Sequence, residues 1–127
     1  MFKERGHEVV FQLDADVDLI FIQDPRYGNT HISINQIQQF KAAFPETKIV
    51  HRVNECDARK NTDMMDNLLR NCSKFTDHTI FVSEWIRDYH MNLGWYSDDY
   101  SVVYNGVDFE HFKKRDKIDN QKINIVT

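Results

Sequence analysis

The chain has little of what usually announces chemistry or a membrane. No apolar run approaches the roughly 20 residues needed to cross a bilayer. Residues 1–13 are charged and contain no apolar segment of the signal-peptide kind. The two cysteines, Cys56 and Cys72, make neither a disulfide framework nor a C-x-x-C pair, so a reducing, cytoplasmic setting is expected. Only four glycines are present, and none belongs to a G-x-G-x-x-G, Walker or G-x-S-x-G motif. A phosphate-cradling loop is therefore excluded from this stretch of sequence. Lys and Arg number 16 against 20 Asp and Glu, a net charge of −4, which gives no basic footprint for nucleic acid. His7, His31, His78, His90 and His111 show no metal-ligand spacing with one another.

What is present is an ordinary globular composition, 41% hydrophobic and 28% charged over 127 residues, enough for one core. Lys3, Arg5 and Gly6 read as the end of a helix, with cations in its last turn and glycine in the left-handed position after it. Five residues are too few for such a helix. Either it begins upstream of Met1 or the start is unstructured. Glu8 to Leu13 is rich in β-formers and reads as a strand. Val17 to Gln23 is nearly continuous in apolar residues, the pattern of a parallel strand buried on both faces. Asp24 to Asn29 breaks the chain.

A helix follows, with Ser33 as N-cap and Gln36 completing a capping box. Ile34, Ile37, Phe40 and Phe44 share one of its faces, and Pro45 stops it. Lys48–Val53 is the next strand. Met65, Leu68, Leu69 and Cys72 trace a second helix, and His78–Val82 another strand. Ser83 can cap a helix carrying Trp85, Ile86, Tyr89 and Leu93, closed by Gly94. Tyr100–Tyr104 is a strand that runs into a tight Asn105-Gly106 turn, and Ile123–Val126 is a last strand-like run. Strands alternating with amphipathic helices define an α/β fold, with a mainly parallel sheet and right-handed crossovers. One junction is unusual. Only Asp14 to Asp16 separate the first two strands, which leaves either an antiparallel hairpin or a bare crossing between parallel strands.

In an open parallel sheet, ligands bind beyond the carboxyl ends of the strands. The loop after Val53 is the richest such place: Asn54, Glu55, Cys56, Asp57, Ala58, Arg59, Lys60 and Asn61 offer carboxylates, amides and two cations. These groups can hold sugar hydroxyls or a phosphate. Asp24-Pro25-Arg26 is a second candidate, in which Arg26 clamps an anion or the stretch is a simple turn with a surface salt bridge. His51 is expected to be a satisfied core histidine. Cys72 is read as a small core residue, and Cys56 as a loop residue, a bystander or reactive. Asp14-Ala15-Asp16 has the form of a metal-holding D-x-D but lacks a glycine-rich partner, and a turn is the better reading.

The motifs occur in a recognisable order. Gly6-His7-Glu8-Val9-Val10 resembles the G-H-E-V after the first helix of retaining glycosyltransferases of the GT-B fold, family 4 above all. Val82-Ser83 resembles the V-S start of their late helix. Tyr104-Asn105-Gly106-Val107-Asp108, with Phe112 four residues on, is similar to their N-G-V-D-x-x-x-F segment.

This resemblance covers nearly the whole chain. It implies a Rossmann-like N-terminal domain over residues 1–112 that lacks its first strand. Residues 113–127 would be linker and the first strand of a C-terminal domain. It also implies a metal-independent transfer of sugar from a nucleotide-sugar to a hydroxyl acceptor, with no cofactor. The acceptor site would lie on this side and the donor site on the C-terminal domain, so this chain alone would be inactive.

By position, Asn54, Glu55 and Asp57 are the catalytic candidates. Asp24, Arg26, Arg59, Lys60 and Asn61 are the acceptor-binding candidates. Asn105, Gly106 and Asp108 would form an interdomain hinge. Many relatives carry His-Asp where this chain has Asn54-Glu55, and an asparagine cannot act as a general base. Peripheral contact with a membrane surface stays open. The alternative function is a stand-alone α/β binding or regulatory module without chemistry. A receiver-like signalling domain fits less well, because the strand ends offer no matching lysine.

Overall fold

The computed structural model describes residues 3–26 and 32–112. Four parallel strands form one sheet in the order in which they occur in the chain: β1 (Leu19–Ile22), β2 (Lys48–Val53), β3 (His78–Phe81) and β4 (Tyr100–Val102). Between them run α1 (Ile34–Ala43), the single turn α2 (Asp57–Lys60), α3 (Met65–Ser73) and α4 (Glu84–Asn92). The architecture is the α/β, Rossmann-like one. No helix among the described residues is long and apolar enough to cross a membrane.

Local sequence sets the helix ends. Ser33 Oγ accepts from the Gln36 amide at 3.3 Å and Gln36 Oε1 accepts from the Ser33 amide at 2.8 Å, the reciprocal capping box. Ser33 thus starts α1, and the chain turns away at Phe44 just before Pro45. Ser83 caps α4 through the Ile86 amide at 3.2 Å. Gly94, at φ +83°, supplies the left-handed residue that ends α4.

The sequential strand order has a consequence for the core. With strands in sequential order, right-handed crossovers all step the same way and carry their helices to one face of the sheet, and the buried clusters lie on that one face. The register places Ile20, Ile49, His51, Val53, Thr79 and Phe81 on that face. Ile37 and Phe40 of α1 pack on Ile20, Ile22 and Ile49. Met65 and Leu69 of α3 and Ile86 of α4 pack with Val53, Phe81 and Trp95. The opposite face carries Leu19, Phe21, Val50, Arg52, His78, Ile80 and Ser101, all exposed or half-buried.

Several expectations are corrected by this arrangement. Glu8 to Leu13 is not a strand. It pairs with no other described segment, and Val10 and Phe11 are exposed at 47% and 75%. A strand exists only through its ladder, and β-propensity alone supplies no partner. The question of a hairpin or crossing at Asp14 to Asp16 therefore disappears. That segment is a turn, closed by the Val17 amide donating to the Asp14 carbonyl at 3.1 Å. β1 is buried on one face, at Ile20 and Ile22, while Leu19 is 52% exposed.

At the start, the helix end is a 3-10 turn, Lys3–Arg5, with Gly6 at φ +84°. The expected tight turn at Asn105-Gly106 is absent. Residues 103–108 run without regular structure, and Gly106 does not use a left-handed φ. An Asn-Gly turn of the hairpin type is stabilised by the strand it folds back on, and no described strand follows. The chain turns instead at Asp108, whose Oδ1 accepts from the Glu110 amide at 2.9 Å and the His111 amide at 3.2 Å. The run Ile123–Val126 and the linker at 113–127 lie outside the described residues, as do Tyr27, Gly28 and Asn29.

Candidate functional site at the carboxyl edge of the sheet

Because all four strands are parallel, the loops after Ile22, Val53, Phe81 and Val102 emerge on one edge. β1 and β2 are neighbours, which brings Asp24-Pro25-Arg26 beside Asn54 to Asn61. Charge records the approach: the Arg26 guanidinium is held above its ordinary value mainly by its hydrogen bond to Asp24, then by the Asp24 charge, with a contribution from Glu55. Arg26 folds back on Asp24, its Nε donating to the two carboxylate oxygens at 2.9 and 3.0 Å and Nη2 at 2.5 Å. This is the salt-bridged turn foreseen as the plainer reading, and it leaves the Arg26 side chain 50% exposed on the edge.

The loop after β2 is fixed from behind. Cys56 is fully buried in the core cluster, not in a polar loop environment, so it anchors the loop by packing. His90 of α4 donates from Nε2 to the Glu55 carbonyl at 2.9 Å. Burial lowers the His90 pKa from its ordinary value, against the opposing effects of the Glu55 bond and of nearby Asp66 and Asp57. Asp57 points away from the edge. Its carboxylate accepts from the Met65 and Asp66 amides, both at 2.9 Å, and from the Thr62 hydroxyl.

Asp66 answers by accepting from the Asp57 amide at 2.9 Å, and from the Tyr89 hydroxyl at 2.6 Å. That bond, with burial, pushes the Tyr89 phenol up to about 12. Burial alone would raise the Asp57 carboxyl, but the Thr62 hydroxyl and the amides of Asp66, Met65 and Met64 outweigh it and hold it below the ordinary carboxylate value. Asp57 thus caps the amino end of α3. Asp57→Ala should lower stability by about 1–2 kcal/mol, measured by urea unfolding; an unchanged midpoint would refute the capping role.

The groups not used in locking the loop are Asn54, the largely buried Glu55 carboxylate, Arg59, Lys60 and Asn61. Arg59 Nη1 donates to the Asn54 carbonyl at 3.2 Å, and Lys60 Nζ lies 3.7 Å from Glu55 Oε1. Glu55 Oε2 is buried with no hydrogen-bond partner among the described residues. Asn61, at φ +53°, ends α2 in the left-handed conformation. A cleft of about 220 Å³ lined by Asp57, Asp66, Asn67, Arg70 and Leu93 lies behind this loop. Among the described residues, no three His, Cys, Asp or Glu side chains gather where they could hold a metal.

Two groups escaped the sequence reading. Arg52 lies inside the strand β2. It faces the uncovered side of the sheet, and its Nη2 donates to Asn105 Oδ1 at 2.7 Å, joining β2 to the segment after β4. The alternation in β2 carried the signal, since burying Ile49 and Val53 turns Arg52 to the other face. His51 is buried as expected, at 0% exposure, but it is not satisfied: neither ring nitrogen has a partner among the described residues. Nothing in a sequence shows which polar groups will meet it.

Against known families, the model of Glycosyltransferase Family 4 matches residues 8–111 of the chain. No curated protein and no solved structure matches it. The match begins at the Glu8 of the G-H-E-V segment and runs through all four strand-end loops described above.

Proposed function

Because this chain belongs to glycosyltransferase family 4, we propose that it forms the acceptor side of an enzyme moving a sugar from a nucleotide-sugar to a hydroxyl acceptor. The observation that carries the reading is the loop after β2. It is locked from behind by Cys56, His90 and Asp57, yet presents half-buried Asn54 and Glu55 at the carboxyl edge of a parallel sheet. A rigid backbone with unspent polar groups suits recognition of hydroxyls, because the geometry is set before the ligand arrives.

Each group has a role in this proposal. The Asn54 amide can donate to one hydroxyl and accept from another, and the Glu55 carboxylate can accept a hydroxyl proton in a hydrogen bond. Arg26, Arg59, Lys60 and Asn61 rim the site, with Asp24 holding the Arg26 guanidinium in place. Asp57 acts through α3 and positions the loop. The donor nucleotide is bound by a separate domain, no metal is required, and Asn105, Gly106 and Asp108 lead toward that domain. The Arg52–Asn105 hydrogen bond ties this lead segment to β2.

The test is a titration of the isotope-labelled chain, watched by amide chemical shifts, with a panel of glycosides and polyols and separately with UDP- and GDP-sugars. Hydroxyl acceptors should shift the amides of Asn54, Glu55 and Arg26. Asn54→Ala should weaken that binding about tenfold, the loss of roughly one hydrogen bond. The chain alone should not turn over nucleotide-sugars. Turnover by these 127 residues would overturn the division between acceptor and donor sides. Shifts confined to other loops would favour a binding module of a different kind.

A further inference from the structure

The uncovered face of the sheet holds a second constellation, at the amino ends of β3 and β4 and so opposite the site above. Asp99 Oδ1 lies 2.7 Å from His78 Nδ1, and His78 Nε2 lies 3.0 Å from Ser101 Oγ. Carboxylate, imidazole and hydroxyl are thus in line. Asp99 fixes the tautomer by accepting from Nδ1–H, which leaves Nε2 to accept the Ser101 proton. This is the arrangement by which an otherwise weak hydroxyl becomes a nucleophile, and it is identified by geometry and not by chain order.

The surroundings supply further parts. The register puts Ile80 between Ser101 and Arg52, and Val50 beside His78. Ile80 and Val50 make an apolar floor on a face that α1, α3 and α4 leave open. Arg52 extends across this row to reach Asn105, and so brings a cation to the same face.

We propose that Ser101 is an acyl-accepting nucleophile and that Asp99, His78 and Ser101 hydrolyse carboxylic esters with short apolar acyl groups. Ser101 Oγ attacks the ester carbonyl, forming the Oγ–C bond while Nε2 takes the hydroxyl proton. The ester C–O bond breaks, and the leaving alkoxide receives that proton from His78. Water, giving its proton to Nε2, then attacks the acyl carbon; the Oγ–C bond breaks, Oγ takes that proton back from Nε2, and the carboxylic acid leaves with Ser101 and His78 restored. No part of this depends on the glycosyltransferase reading.

The experiment is incubation of the 127-residue protein with p-nitrophenyl butyrate. Nitrophenolate release is followed, and the acylated peptide is located by mass spectrometry after rapid acid quench. The expected result is a butyryl group on Ser101 and release that persists beyond one equivalent. Ser101→Ala, whose fold is checked by circular dichroism, should abolish the adduct. His78→Gln should slow acylation by about 10²-fold or more. Adducts found only on lysines, or an acylation rate that His78→Gln leaves unchanged, would overturn the proposal, and the wild-type mapping decides this without any variant.

Discussion

Replacing His51 with leucine should make this fold more stable and less sensitive to acid. His51 lies on the covered face of β2, between Ile22 and Thr79 in the register, with its ring stacked near Trp95 at 6.2 Å between centroids. Both ring nitrogens are buried without a partner among the described residues, so even the neutral ring leaves a desolvated N–H. An unpaired buried polar group costs about 1–3 kcal/mol, which an apolar side chain of similar size does not incur.

Charging the ring is worse. Burial, reinforced by the nearby His90, lowers the His51 pKa from 6.5 to about 4. The unfolded chain therefore binds a proton through the window in which the folded chain refuses it. Stability is full above pH 6.5 and falls as the pH drops toward 4, by about 3 kcal/mol for a shift of this size. His90, also lowered, acts in the same sense. Urea unfolding at a series of pH values should show the wild-type slope reduced in His51→Leu, with a higher midpoint at neutral pH. Parallel curves for the two proteins would refute the assignment.

Asp77→Ala should be the most damaging single change outside the apolar core, at about 2–3 kcal/mol. Lys41 near the end of α1 donates to Asp77 Oδ2 at 2.9 Å, to the Thr47 carbonyl at 2.7 Å and to the Pro45 carbonyl at 3.0 Å. Asp77 Oδ2 also accepts from the Ile49 amide at 2.7 Å. One carboxylate thus joins α1, β2 and the approach to β3. Both partners are more than two-thirds buried, with side-chain exposures of 22% for Lys41 and 30% for Asp77.

Truncating Asp77 leaves the Ile49 amide unpaired and the Lys41 ammonium facing only carbonyls. Lys41→Met in the Asp77→Ala background should therefore recover part of the loss. No recovery in that double-mutant cycle would show that the two charges do not act as a pair. Burial alone would raise the Asp77 carboxyl, but hydrogen bonds from Lys41 and Ile49 and the charges of Lys41 and Lys48 hold it below the ordinary carboxylate value. Its contribution is present above the unfolded carboxylate pKa and is lost as the pH falls through the lower folded value. Acid weakens this joint only below the range in which His51 acts.

The strands β2 and β3 and the helices α1, α3 and α4 were legible because each rests on local physics: capping oxygens at Ser33 and Ser83, and apolar residues at helical or strand spacing. The segment at Glu8 misled for the opposite reason. Its residues favour a strand, but pairing is a property of two segments. The Asn105-Gly106 turn failed in the same way, lacking a described return strand to close it. At the candidate site, the sequence located the loop after Val53 by position. It gave no indication that Asp57 turns inward to α3 or that Cys56 anchors the loop from the core.

The sequence by itself determined β2, β3 and the helices α1, α3 and α4, their order, the parallel α/β class and the family, since periodicity, caps and ordered motifs are written along the chain. The tertiary structure alone decided which face of the sheet the helices cover, because that follows from strand order and crossover hand. That choice buries His51 without a partner and turns Arg52 outward to Asn105. It also brings together His78, Asp99 and Ser101, which are separated in sequence and adjacent only across two paired strands.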